Sequence, residues 1–348
     1  AISAAGERPM KRVTVAIIAY NEARNLPDTL TSLAAQTYPR ERFEILVVDN
    51  GSNDGTRALV REWMRRLDNL RLAVEPTPGI APARNTALRE TKTELIVFTD
   101  ADVICPPTWL QTLVEGFDRH RERDLRTVAV GGGNVPVAAG SRFLAALGVT
   151  LNSFWGSHGS AQGMLHEEDR IVEHIPTLNI CYDRLAVLAA GGFDNAFRMV
   201  SEDPELNHRL TRLGYRIVFL AGAQVEHKMR PDLRSWFRNV YVYGRGRTQI
   251  IKKHPDHFRL KYAAPPLIPL VLAAFVLAPW LPLLALPLPL YLAATALLAR
   301  RLCARQGKRH LWSMAFVILA GNPIAYGIGM IHGLWHRYPP SSPRPIID

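Results

Sequence analysis

Hydrophobic and polar positions follow two different rhythms along this chain. From residue 11 to about 225, short β-branched apolar runs alternate with amphipathic stretches, as in a parallel sheet covered by helices. The runs predict strands over Val13 to Ala19, Phe43 to Asp49, Leu70 to Val74 and Leu95 to Asp100. Between them, Leu26, Leu30, Leu33 and Ala34 recur at helical spacing within Asn25 to Ala35, and a second helix is predicted over Thr56 to Leu67. After residue 261 the rhythm disappears: Tyr262 to Ala299, 38 positions, hold no charged side chain.

A bilayer core is crossed by about 20 helical residues, so that run is long enough for two spans, 262–279 and 281–299. Pro279, Trp280 and Pro282 mark the turn, where proline interrupts helical hydrogen bonds and an aromatic suits the interface. A second uncharged stretch, Leu311 to Ile331, is read as a third span, 311–333, with Gly321, Asn322, Pro323, Gly327 and Gly329 permitting a kink or close packing. Residues 1–10 are expected to be an unstructured N-terminus with no signal peptide, and 336–348 a tail.

Charge then changes the picture. The 348 residues carry a formal +11, which on its own suggests an anionic partner such as nucleic acid, phosphate or an acidic membrane. The excess is local, however. Residues 1–227 sum to −3, 228–261 hold ten Lys and Arg against two Asp, and 300–310 hold five basic residues and no acid. Both basic blocks flank the hydrophobic hairpin, so the positive-inside rule places them, and the domain before them, in the cytoplasm of a multi-pass inner-membrane protein. A third crossing would then leave the tail outside. Nucleic-acid binding loses its only support. Within 231–261, Trp236, Phe237, Val240, Tyr241 and Tyr243 lie among arginines, the pattern of an interfacial amphipathic helix. Cys105, Cys181 and Cys303 fit no metal spacing and no disulfide framework.

Three predicted strands end in polar clusters: AYNE at 19–22, DNGSNDG at 49–55 and DAD at 100–102. In open α/β sheets ligands bind at the carboxyl ends of strands, so all three should face one crevice. No GxGxxG follows the first strand and no GxxxxGK[ST] occurs, which argues against dinucleotide and P-loop sites. Asp49 suits either a base or ribose contact or an ordinary turn. Asp100 and Asp102 point the same way at a strand end. Two such anions are costly unless a cation joins them, and their oxygen ligands suit Mg²⁺ or Mn²⁺. Glu202 and Asp203 precede a helix with Leu206, Leu210 and Leu213 on its apolar face, a spacing equally compatible with capping and with a general base. Ser153 to Arg170 lacks periodicity and reads as a mobile loop.

In that order, VTVAIIAYNEARNL, ILVVDNGSNDGT, ARNTAL, ELIVFTDADV and SEDPELNHRL closely resemble the family 2 glycosyltransferases, across residues 11–230 and more loosely into the membrane segments. The resemblance implies an α/β GT-A domain, Rossmann-like and nucleotide-binding, followed by an interfacial helix and C-terminal transmembrane helices. It implies inverting transfer of a sugar from a nucleotide diphosphate, most often a UDP-sugar, with Mg²⁺ or Mn²⁺ as cofactor. Carried over by position, Ala19, Tyr20, Glu22 and Asp49 would contact the nucleoside, Asp100 the ribose or metal, and Asp102 the metal. Arg84 would support the phosphates or pack beside the metal motif. Asp203 would be the base and Glu202 its orienting partner. His227 stands where some members place a third metal ligand, or is structural. The Gln-x-x-Arg-Trp motif of processive members is missing; Arg245 and Arg247 would clamp a donor or lipid-linked phosphate, or face anionic headgroups. The implied acceptor is a hydroxyl of a lipid-linked or glycolipid molecule. Two rivals are a polyprenyl-phosphate acceptor and a non-catalytic nucleotide-sugar-binding scaffold.

Overall fold

The computed structural model describes residues 10–157, 160, 163, 164 and 166–335. Residues 1–9 of the expected N-terminus, the tail and five positions of the 153–170 segment therefore lie outside the described residues. The chain opens with β1 (Val13–Ala19), α1 (Leu26–Ala34), β2 (Phe43–Asp49), α2 (Thr56–Trp63), β3 (Leu70–Val74), α3 (Ile80–Glu90) and β4 (Leu95–Asp100). All four strands have the bounds that the apolar runs predict. There follow β5 (Val103–Ile104), α4 (Trp109–Arg123), β6 (Thr127–Gly131), β7 (Asn134–Pro136), α5 (Arg142–Leu151) and the one-turn α6 (Phe154–Ser157). The domain closes with β8 (Arg170–Val172), β9 (Asn179–Asp183), α7 (Arg184–Ala189), α8 (Glu202–Arg212), β10 (Arg216–Phe219) and β11 (Val225–His227).

Eight strands form one sheet in the order β3-β2-β1-β4-β9-β6-β10-β8, parallel from β3 to β4 and mixed beyond. Alternation sends Val13, Val15 and Ile17 with Ile45, Val47 and Val97 into one core, under α1 and α4. Ala16, Leu46, Val48, Ile96 and Phe98 enter the other, under α3, α7 and α8. Burial on both faces explains why the strands read as continuous apolar runs. A second sheet, β5-β11-β7, is only two to three residues deep but sets the site: β11 pairs antiparallel with β5, placing His227 opposite Val103, one residue beyond Asp102.

Beyond β11 come α9 (Leu233–Lys253), α10 (Ala264–Ala273), α11 (Pro287–Arg305) and α12 (Trp312–Trp335). The chain reverses between α10 and α11 at the predicted turn, with Trp280 74% exposed at its tip. Three segments, Leu260–Leu277, Pro282–Arg305 and Arg309–Trp335, are long and apolar enough to cross a membrane. A third core joins α5, α9, α11 and α12 through Phe143, Leu147, Trp236, Val240, Cys303 and Ile318. All three cysteines are free and buried.

Candidate active site

Register brings the polar clusters together. Ala19 pairs with Asp49 across β1 and β2, and Ile18 with Asp100 across β1 and β4, so three strand ends form one rim. Backbone amides of the AYNE turn donate into the DNGSNDG turn: Asn21 to Ser52 Oγ at 2.9 Å, Glu22 to Thr56 Oγ1 at 2.9 Å, Ala23 to Asp54 Oδ2 at 3.0 Å. Tyr20 stands out from this lacing, 59% exposed. Asp49 is fully buried. Its Oδ2 accepts from Gly51 N at 3.2 Å, Ser52 N at 3.3 Å and the Arg57 guanidinium, so the turn reading accounts for that oxygen. Oδ1 has no partner among the described residues, an acceptor left for a donor from outside the chain. Asn50, not singled out by sequence, donates to Glu75 O and Thr77 O and accepts from Gly79 N at 2.7 Å, fixing the approach to α3.

The DAD carboxylates occupy unequal surroundings. Asp102 Oδ1 lies 3.3 Å from His227 Nε2, and its carbonyl accepts from Lys228 N at 2.9 Å. Burial would raise the Asp102 pKa, but the hydrogen bond and charge of His227 hold it below the usual range; His227 is raised in turn, its burial outweighed by Asp102. Asp100 is pushed up by burial, with Arg84 opposing and Asp102 adding to the rise. Glu22 is raised likewise, by burial and by both aspartates, against a hydrogen bond from Asn25. Glu22 and Asp100 are thus each disfavoured from ionising by neighbouring aspartates as well as by burial, a strain that a divalent cation would relieve. The donor set of Asp100, Asp102 and His227 fits such an ion, with the imidazole favouring Mn²⁺ over Mg²⁺.

Across the crevice, α8 begins at the second acidic pair. Ser201, before it, has φ +72° and its side chain caps nothing. Glu202 turns into the protein and ion-pairs with Arg84, which also reaches Asp100 Oδ1 at 3.7 Å. Arg84 therefore packs beside the DAD motif, buried between two acids. Burial, reinforced by Asp203 and opposed by Arg84, pushes Glu202 up to about 7. Asp203 is half-buried, accepts from Thr177 N at 3.2 Å and lies close enough for its charge to act on Asp100. Leu206 and Leu210 are in the core, whereas Leu213 lies past the helix end and is 60% exposed. α9 roofs this corner: a Cβ at Gly246 would overlap Ser201 Oγ and lie 3.2 Å from Ser201 Cβ, so the helix packs directly on the residue before α8.

Two cations missed by the motif reading face the same space. Arg230, exposed just after β11, acts on Asp102 and Glu22. Its signal was the basic run 228–261, which reads equally as a lipid-facing flank. Arg57, one turn beyond the DNGSNDG cluster, holds Asp49. Of the two predicted phosphate residues, Arg247 donates to Tyr326 OH at 3.1 Å and to His257 Nε2, and stacks 4.7 Å from the Tyr262 ring. Its charge acts with that of Asp203. Arg245 keeps an enclosed Nε without a partner, and neither arginine has a carboxylate in ion-pair range among the described residues.

A second cluster, His208, His254 and Asp256, has metal-like spacing at the other end of α8. Its protons argue otherwise. Arg247 can only donate, so His257 Nε2 accepts and its Nδ1–H points at His208 Nδ1, 3.2 Å away. His208 then carries its proton on Nε2, the atom facing Asp256 at 3.2 Å, a proton that a metal would have to displace. Asp256 also pairs with Arg212 at 2.7 Å. His257 links this cluster to Arg247, and the donors of the crevice are separate.

The chain matches the profile described as Glycosyl transferase family 2 over residues 14–166, and Glycosyl transferase family group 2 over residues 95–300, more than half its length. It is 29% identical to Glycosyltransferase AglE of Haloferax volcanii over 68% of this chain and 73% of that protein. It is 26% identical to Probable glycosyltransferase YdaM of Bacillus subtilis (73% and 60%) and 27% identical to Pre-mycofactocin glycosyltransferase of Mycobacterium tuberculosis (70% and 48%). The chain thus spans about half to three quarters of these relatives. Among solved structures, Mannosyltransferase PcManGT from Pyrobaculum calidifontis, in complex with GDP-Man and Mn²⁺, shares the fold with a TM-score of 0.59 and 24% identity over 94% of this chain and 88% of that one. Sheet order, crevice and sequence agree: this chain belongs to glycosyltransferase family 2, has a GT-A fold and uses a nucleotide-sugar donor.

Proposed function

We propose that the protein is a membrane-anchored, inverting glycosyltransferase that moves a hexosyl group from a nucleoside diphosphate sugar, UDP-linked by expectation, to a hydroxyl of a lipid-linked or glycolipid acceptor in envelope polysaccharide or glycolipid synthesis. The observation that carries this reading is the opposition of two carboxylate groups across one crevice: Asp100, Asp102 and His227 at the strand ends, and Asp203 at the start of α8.

In this reading the nucleoside lies over the rim of Ala19, Tyr20, Glu22 and Asp49, with Tyr20 offering its ring and Asp49 Oδ1 its free acceptor. Asp100, Asp102 and His227 hold Mg²⁺ or Mn²⁺, which supplies Lewis-acid stabilisation of the leaving diphosphate. Arg230 stands at the same mouth and adds positive charge to the diphosphate side. Asp203 takes the proton of the acceptor hydroxyl on the opposite face, the geometry that a single inverting displacement requires. Thr177 N holds its carboxylate, and Glu202, locked by Arg84, fixes the first turn from which Asp203 projects. The hairpin from α10 to α11 anchors the domain to the cytoplasmic leaflet, with basic flanks on anionic headgroups.

A second reading, a lipid phosphate as acceptor, is favoured by Arg245 and Arg247, whose donors lack carboxylate partners near Asp203. A phosphate needs no general base. A donor panel, including UDP- and GDP-sugars, with Mn²⁺ or Mg²⁺ in nanodiscs and scored by nucleoside diphosphate release, tests the enzyme. Asp203→Asn then decides between acceptors. Loss of turnover on a hydroxyl acceptor supports the first reading, and retained turnover on a polyprenyl phosphate supports the second. Release from no donor under either metal would overturn both.

A further inference from the structure

The three long apolar helices do not share one environment. α10 and α11 are the more exposed: within their apolar windows 0% and 11% of residues are buried, against 39% in α12, which they touch at Gly327, against the Pro265 carbonyl, and through Tyr291 OH, which donates to Ala320 O at 2.6 Å. α12 instead runs beside α9 in the same direction. Trp236 Nε1 donates to Asn322 Oδ1 at 2.8 Å, Thr248 Oγ1 to Met330 O at 2.9 Å, and Lys252 Nζ to Gly333 O at 2.8 Å. Between these bonds a Cβ at Gly329 would overlap the Tyr241 carbonyl, so the two backbones touch.

Both ends of this helix pair are tied to the catalytic domain. At its start, α9 follows β11 directly, where Lys228 bonds Asp102 and pairs with Asp28 near the beginning of α1. At its end, Lys253 pairs with Asp194 and Glu205 at 2.5 Å, and His254 with Glu205 at 2.8 Å. The start of α12 is held by α5, whose Arg142 donates to His310 O at 3.2 Å and Ser313 Oγ at 3.1 Å, while Gln306 donates to Val149 O. The end of α12 rests on Lys252. A 24-residue helix extends about 36 Å, enough to cross a bilayer, yet both of its ends meet the same charged domain. α9 cannot enter the hydrocarbon with it. Arg234, Arg238, Arg245, Arg247, Lys252 and Lys253 are spread along its length, and each would cost several kcal/mol at the bilayer centre.

We infer that α12 is not a third crossing: with α9 it forms an in-plane platform seated on the bilayer surface, and only the α10–α11 hairpin enters the lipid. The occupant of its outer face is the lipid headgroup and upper acyl region. Val317, Ile328 and Trp335, which recur on one face of the helix, are exposed at 40%, 46% and 73%, while Leu334 lies about a quarter-turn off that face. Trp335 therefore lies on the catalytic side of the membrane, not opposite it. The inference holds whatever the donor and acceptor are.

The test is the sidedness of single cysteines in sealed vesicles of known orientation, probed with a membrane-impermeant maleimide over a background in which the native thiols are buried. Leu125→Cys, 77% exposed on the catalytic domain, is the reference. Leu334→Cys is expected to label from the same side as Leu125→Cys and to lose labelling when the vesicles are inverted with it. Labelling of Leu334→Cys only from the opposite side would overturn the inference. If Leu334→Cys disturbs the helix, an epitope placed after residue 348 gives the same answer: proteolysis from the Leu125 side supports the platform, and proteolysis from the other side restores the third span.

Discussion

Glu202 and Glu205 sit three residues apart on α8, are both buried, and have opposite fates. Glu202 faces the crevice with one cation, Arg84, and two other acids near, and is pushed up to about 7. Glu205 faces the platform. Burial would raise it, but His254, Arg209 and Lys253 surround it and drive it down to about 2. Burial is common to both, so the count of counter-charges decides. The crevice side of α8 is electrostatically unfinished, as a site awaiting a cation and a charged donor should be, whereas the platform side is complete and serves attachment.

If that division is right, the two sides respond to mutation in different ways. The largest effect is expected from Asp203→Asn, which removes the proposed base without removing a buried ion pair. Turnover on a hydroxyl acceptor should fall by about 10²–10⁴-fold while thermal stability and donor binding stay near wild type, measured by nucleoside diphosphate release and by melting with donor present. A drop in melting temperature as large as the drop in rate would show that Asp203 is structural. Glu205→Ala is the converse. It strands Arg209, Lys253 and His254, and should destabilise the protein by about 3–5 kcal/mol in denaturant titration, loosening α9 from α8. Retained stability would mean that the platform is held elsewhere.

The same contrast separates what the sequence could reveal from what it could not. β1 to β4 were readable because buried parallel strands are apolar on both faces, and the polar residues that end them mark the crevice. Both first helices end short of their predicted limits, Ala34 for Ala35 and Trp63 for Leu67, where the backbone tightens into a turn. The partners that tune the crevice stayed hidden because they are distant in sequence. Arg84 and Glu202 are 118 residues apart, and Asp102 meets His227 only through a two-residue strand too short to leave a pattern. Arg230 was masked by the basic run around it. On α9, aromatic residues among arginines read as an interfacial helix; a helix does form over Leu233–Lys253, but Trp236 and Val240 are buried against α12. Hydropathy measures how apolar α12 is and is blind to the glycines that dock it on another helix.

Acid titration sharpens the comparison further. Glu205 has a folded pKa below the ordinary 4.5, so its contribution is present above that pH and is lost as pH falls from 4.5 towards 2, an effect of about 3 kcal/mol. Glu202 has the opposite sign. Its folded pKa lies above 4.5, so the stability it contributes is complete below that value and declines as pH rises through about 7. Unfolding measured from pH 3 to 8 should therefore lose its acid limb in Glu205→Gln and flatten between pH 5 and 7 in Glu202→Gln. An unchanged acid limb in the first variant would assign acid sensitivity to other carboxylates.

The smallest and most local test is Gly246→Ala, at the seam between the two sides. One methyl group there overlaps Ser201 Oγ and crowds Ser201 Cβ and Val200 Cγ1 at 3.2 Å, so the Ser201 hydroxyl must rotate and the turn that presents Asp203 must give by a few tenths of an ångström. Overpacking of this kind costs about 1–3 kcal/mol, a modest loss against Glu205→Ala. Its value lies in what moves with it. If α9 roofs the acceptor side, turnover and acceptor KM should change while donor KM, set at the strand ends, remains constant. Equal changes in both KM values would mean that the platform and the nucleotide rim are mechanically one unit. The electrostatic division of α8 would then have no counterpart in how the two substrates are held.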